Sequence, residues 1–281
     1  MTAATEIVFT SAEGGRLVGT RMGPETGPLV LLLHGGGQTR HAWARAAIRL
    51  AEEGYHVVRY DARGHGDSDW SAAKDYSMPA HGADLLAVLR ALGRPAALVG
   101  ASMGGIASLL AAAEAPDCAR ALVLVDIVPG FAAKGVERVR SFMRANPEGF
   151  ASLDEAAAAV RAYNPARAAK NPEGLMRNLR KGDDGRLRWH WDPQVIGKKP
   201  DPGLTEMLSA KLASLPTTLP LLLVAGADSD VVDAEALERF RAQAPHAETI
   251  AIARAGHMVA GDRNDAFGDT IAAFLKRTVK S

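Results

Sequence analysis

The sequence has a single cysteine, Cys118, in 281 residues. An intramolecular disulfide is excluded, and no grouping of cysteine with histidine has the spacing of a structural zinc site. Neither sign of charge is in excess, because 33 Lys and Arg stand against 32 Asp and Glu for a formal net charge of +1. That balance removes the electrostatic reason to expect a nucleic acid or an anionic membrane as partner, and it favours a small uncharged or weakly charged substrate. Long apolar runs are missing as well. The opening Met1-Thr2-Ala3-Ala4-Thr5-Glu6 has neither the basic start nor the apolar stretch of a signal peptide, and no later run approaches the length that spans a bilayer. These features predict a soluble, cytoplasmic protein, with oligomeric state left open.

What is present is an alternation of strand and helix patterns. Residues 6–10 and 16–21 predict a hairpin turned at Ala12-Glu13-Gly14-Gly15. The uninterrupted apolar run Leu29 to Leu33 predicts a strand covered on both faces, and His56 to Tyr60, Ala97 to Gly100 and Ala121 to Val128 predict three more. Between them, residues 41–53, 78–92 and 106–114 suit helices, the second closed by Gly93 and the third stopped by Pro116. This order predicts an α/β fold, a mostly parallel sheet with helices on both faces.

At Pro129-Gly130 the rhythm breaks, and residues 129–216 read as an inserted, mostly helical cap with a polar turn at Gly182-Asp183-Asp184-Gly185. The strand pattern resumes at Pro220 to Val224 and Thr249 to Ile252, with helices near 233–244 and 265–277. One core is therefore expected from residues 1–128 and 217–281, interrupted by the cap.

Gly100-Ala101-Ser102-Met103-Gly104 fits Gly-x-Ser-x-Gly between a predicted strand and a predicted helix, the context that makes the pattern informative. A serine there must adopt a strained backbone to expose its Oγ, and small neighbours let strand and helix pass closely. The helix start aims unpaired N–H groups and the positive end of its dipole at the reacting centre, so the Met103 amide is one candidate oxyanion donor. A helix-capping serine is the competing reading of the same residues. His34-Gly35-Gly36-Gly37 follows the first buried strand and offers the second donor at the Gly36 amide, with Gly37 as the alternative.

His257, in Ala255-Gly256-His257-Met258 after the last strand, is the expected general base. His34 is expected to bond neighbouring loops instead, and His65 to sit in a structural turn. The acid is expected on the loop Ala225-Gly226-Ala227-Asp228-Ser229-Asp230-Val231-Val232. Asp230 is favoured because Val231 and Val232 can anchor the chain just past it. Asp228 is nearer the strand end, and Asp126, at the end of the fourth buried strand, is a third candidate. Asp61 is expected to brace the turn that follows it. Trp43 suits either the pocket wall or the core, and Phe131, Phe142, Met143, Trp189 and Trp191 are candidates to line a pocket or to pack cap on core.

Taken in order, Leu33-His34-Gly35-Gly36, Asp61 to Ser68, the Ser102 turn, the Asp228/Asp230 loop and Gly256-His257 resemble the α/β-hydrolase superfamily over nearly the whole chain apart from the cap. The resemblance implies a Ser-His-Asp hydrolase cleaving a small ester or lactone through an acyl-enzyme, without metal or organic cofactor. C–C bond hydrolases, cofactor-free perhydrolases and haloperoxidases, and non-catalytic ligand receptors share the features. Epoxide hydrolases and haloalkane dehalogenases do not, because they carry aspartate at the position of Ser102.

Overall fold

The computed structural model describes residues 4–164, 172–196, 203–257 and 264–279. The opening hairpin is β1 (Thr5–Thr10) and β2 (Arg16–Met22), followed by β3 (Leu29–Leu33), α1 (Ala44–Glu52), β4 (His56–Tyr60), α2 (Met78–Leu92), β5 (Ala96–Ala101), α3 (Met103–Glu114) and β6 (Ala119–Val125). The segment that follows β6 holds α4 (Ala133–Arg144), α5 (Leu153–Tyr163), β7 (Leu179–Lys181), β8 (Leu187–Trp189) and α6 (Leu204–Ala213). The chain closes with β9 (Leu221–Gly226), α7 (Ala234–Gln243), β10 (Glu248–Ile252) and α8 (Asn264–Thr278).

The large sheet has the order β1-β2-β4-β3-β5-β6-β9-β10. β1, β2 and β4 pair antiparallel, and every pair from β4 through β3 to β10 is parallel. The continuous apolar strands of the sequence are explained by burial on both sides. In β3, Leu29, Leu31 and Leu33 point into one core, shared with α2, α3 and α7, while Val30 and Leu32 point into another, shared with α1 and α8. β5, β6 and β9 repeat the same alternation, the period of two that a pleated strand imposes. Trp43 belongs to the second core, fully buried against Phe267 of α8 with ring centroids 5.4 Å apart.

The insertion has its own apolar cluster, in which Phe150 and the α5 face Ala156, Ala157 and Val160 pack with Leu175 and Leu179. It departs from the expectation in two respects. The polar turn at Gly182 to Gly185 closes a short antiparallel hairpin, β7 with β8, too brief to show a strand period in the sequence. Helix α6, within the 129–216 interval, buries Leu208 and Leu212 in the main core beside α3, so its packing is that of a core helix. Among the described residues no helix is long and apolar enough to cross a membrane.

Candidate active site

Two adjacent parallel strands end in register, Ala101 of β5 opposite Val125 of β6. The next residue of each, Ser102 and Asp126, has a positive φ, 46° and 50°. Such backbone costs about 1–3 kcal/mol for a residue with a Cβ and persists only where its surroundings enforce it. At Ser102 the enforcement is steric. A Cβ on Gly100 would lie 2.3 Å from the Gly104 carbonyl oxygen, and one on Gly104 would lie 2.6 Å from that of Leu33. The turn is thus closed tightly enough to present Ser102 ahead of α3, its own N–H donating to the Val125 carbonyl at 3.0 Å.

His257 faces the same cavity as Ser102. Its Nδ1 donates to Asp126 Oδ2 at 2.8 Å, with the imidazole 6% exposed and the carboxylate 1%. That bond fixes the tautomer and leaves Nε2 to accept a proton. The Asp126 carboxylate is itself held: Oδ1 accepts from the Gly226 amide at 2.9 Å and Oδ2 from the Ser229 hydroxyl at 2.6 Å. The Ser229 Oγ in turn accepts from the Val231 and Val232 amides, both at 3.1 Å.

The carboxylate that meets His257 is thus Asp126 and not Asp230, the acid favoured from the sequence. Asp230 points to α4, where its two oxygens accept from Arg138 Nε and Nη2 at 2.5 and 2.9 Å. The guanidinium holds the Asp230 carboxyl below the usual carboxylate range. Asp228 is exposed, with its amide donating to the Ala255 carbonyl. The physical reason is register. Asp126 leaves a strand adjacent to the Ser102 strand, whereas Asp230 lies beyond a turn that Ser229 ties back to Asp126. Ser229, absent from the sequence expectations, carries no motif signal. The detectable sign of Asp126 was an acidic residue closing a buried strand beside that of the serine.

On the glycine loop, Gly36 lines the cavity, and neither its amide nor that of Met103 has an acceptor among the described residues. Gly37 is otherwise engaged, its amide donating to His65 Nε2 at 3.2 Å. The remaining histidines near the loop are structural. His34 donates from Nδ1 to the Gly35 carbonyl at 2.8 Å and accepts the Ala62 amide on Nε2 at 2.9 Å. His65 donates to the Arg63 carbonyl, and His190, directly after β8, accepts the Gly66 amide at 2.7 Å. Burial keeps them neutral, pushing His65 well below its ordinary value and His190 down to about 3. Asp61 braces its turn as expected, accepting the Arg40 and Asp67 amides and pairing with the Arg40 guanidinium.

The cavity has a volume of 330 Å³ and largely apolar walls. Of the aromatic and methionine candidates, Phe131 and Met143 line it, whereas Phe142, Trp189 and Trp191 pack their rings on one another. Asp192, which follows β8, is tied to the loops after β4: its amide donates to the Gly64 carbonyl at 2.9 Å and its carboxylate accepts the Tyr76 hydroxyl at 2.5 Å.

A family profile described as alpha/beta hydrolase fold matches residues 28–263. Esterase Rv0045c of Mycobacterium tuberculosis is 31% identical over 88% of this chain and 83% of its own length. The sn-1-specific diacylglycerol lipase ABHD11 of Mus musculus is 30% identical over 90% of this chain and 82% of its own. Among solved structures, an alpha/beta hydrolase from Novosphingobium aromaticivorans superposes with a TM-score of 0.83 at 26% identity, covering 99% of both chains.

Proposed function

Because the chain belongs to the alpha/beta hydrolase family, we propose that it cleaves a small carboxylic ester or lactone by acyl transfer through Ser102. The observation that carries this reading is the bond from His257 Nδ1 to buried Asp126 beside a cavity that also contains Ser102. His257 Nε2 takes the hydroxyl proton as Ser102 Oγ attacks the carbonyl carbon, and Asp126 stabilises the imidazolium that forms. The amides of Gly36 and Met103 receive the oxyanion, each worth about 2.7–4 kcal/mol of barrier in comparable sites. His257 passes its proton to the leaving alcohol, then takes one from water as that water attacks the acyl-enzyme, and Ser102 is regenerated.

Ser229 is a positioning residue in this scheme. Its hydroxyl and the Gly226 amide keep Asp126 aimed at Nδ1, as partners that orient a group acting on a catalytic one usually do. The experiment is hydrolysis of 4-nitrophenyl acetate and butyrate by the wild type and by Ser102→Ala, with fluorophosphonate labelling of both. Turnover and labelling that vanish in the variant are expected. Wild-type protein that neither hydrolyses nor labels would refute the reading.

A further inference from the structure

Along α4, Val136, Val139, Arg140 and Met143 all line the cavity. Their spacing places them on one helix face, so the stripe that covers the site is apolar except for one guanidinium. Met143 marks where this face meets the reacting centre. Its Sδ lies 3.9 Å from the Cβ position of Gly36 and 3.2 Å from that of Gly37. Arg140 is one turn back, about 4.5 Å along the helix axis. A substrate carbonyl held by the Gly36 amide would therefore share one cavity with Arg140.

Arg140 is braced there, with Nη2 donating to the Ile196 carbonyl at 2.9 Å. Glu137 lies 3.8 Å from its Nε but is exposed, and that carboxylate also receives Arg144. The other Lys, Arg, Asp or Glu side chains on the lining are Lys74 and Asp75, both exposed. The cavity is thus cationic on the cap side, although the chain as a whole is nearly neutral. An arginine keeps its charge in such surroundings, and its planar fork matches a carboxylate.

Resting on the esterase reading above, we propose that the substrate is an ester bearing a carboxylate, which Arg140 holds while Ser102 attacks the ester carbonyl. Arg140 is a specificity residue in this account, touching substrate away from the reacting atoms.

The test uses two half-acids, 4-nitrophenyl hydrogen glutarate with the carboxylate in the acyl part and 4-(butyryloxy)benzoate with it in the alcohol part, each paired with its methyl ester. The wild type is expected to favour one acid over its own methyl ester by about tenfold or more in kcat/KM, as a charge-assisted bond gives. Arg140→Met should abolish that preference by raising KM for the acid while leaving the methyl ester within about threefold, and Arg140→Lys should restore part of it. No preference in the wild type for either acid, or an equal loss on acid and methyl ester in Arg140→Met, would overturn the proposal. Calorimetric titration of Ser102→Ala with monomethyl glutarate and with 4-acetoxybenzoate reads the anion site without turnover. Binding that disappears on adding Arg140→Met supports the carboxylate site even where the esterase reading fails, and no binding of either anion to Ser102→Ala counts against it.

Discussion

Ser102 and Asp126 stand one residue beyond the in-register strand ends Ala101 and Val125, both with positive φ, and the Ser102 amide donates to the Val125 carbonyl. The proposed nucleophile and the acid that orients its base are thus fixed by one pair of parallel strands. His257 alone has to be delivered by a loop from elsewhere in the fold.

The hold on Asp126 predicts a graded effect at Ser229. Ser229→Ala removes the 2.6 Å hydroxyl bond to Oδ2 but leaves the Gly226 amide on Oδ1. Loss of one hydrogen bond to a charged group, about 1.5–3 kcal/mol, should lower kcat about tenfold to a hundredfold with KM little changed. Steady-state hydrolysis of 4-nitrophenyl butyrate is the check, with Ser229→Thr, which keeps the hydroxyl, expected to recover most of kcat; an equal loss in both variants would contradict the hold on Asp126.

Gly104→Ala tests the steric closure of the turn. The added Cβ would sit 2.6 Å from the Leu33 carbonyl oxygen and 2.7 Å from that of His34, both backbone atoms that cannot rotate aside. Overpacking of this kind costs roughly 1–3 kcal/mol, so the midpoint of urea denaturation should fall, and Ser102-dependent turnover with it. A variant with unchanged midpoint and activity would contradict the packing described for the elbow.

Acid should destabilise the protein through its buried neutral histidines. Burial lowers His81 to about 4 and His190 to about 3 from an ordinary 6.5. Below pH 6.5 the unfolded chain therefore binds protons at these positions that the folded chain does not. Each site then removes about 1.4 kcal/mol of stability per pH unit as pH falls toward its folded value. His190→Asn keeps an acceptor for the Gly66 amide and cannot titrate. Urea denaturation of both proteins between pH 7.5 and 5 should show a shallower loss in the variant, and parallel curves would contradict the assignment.

Much of this arrangement was legible in the residues. Buried strands such as Leu29 to Leu33 announce themselves by continuous apolar sequence, and the Ser102 turn by glycines whose closeness the fold requires. The carboxylate partner of His257 was not, because choosing among Asp126, Asp228 and Asp230 depends on which loop lies beneath His257, and the bond found spans more than a hundred residues. Ser229 was hidden for the same reason, since a lone hydroxyl acquires its role only from the carboxylate it meets. The β7–β8 hairpin and the core packing of α6 show the same limit in the insertion, where short elements leave no period to read.

The most direct test compares Asp126→Asn with Asp230→Asn in steady-state hydrolysis of 4-nitrophenyl butyrate. With Asp126 orienting His257, the first should lose about three to four orders of magnitude in kcat with KM nearly preserved. The second, losing a half-exposed ion pair to Arg138, should stay within about threefold of wild type. The reverse pattern, with Asp230→Asn crippled and Asp126→Asn active, would contradict the account.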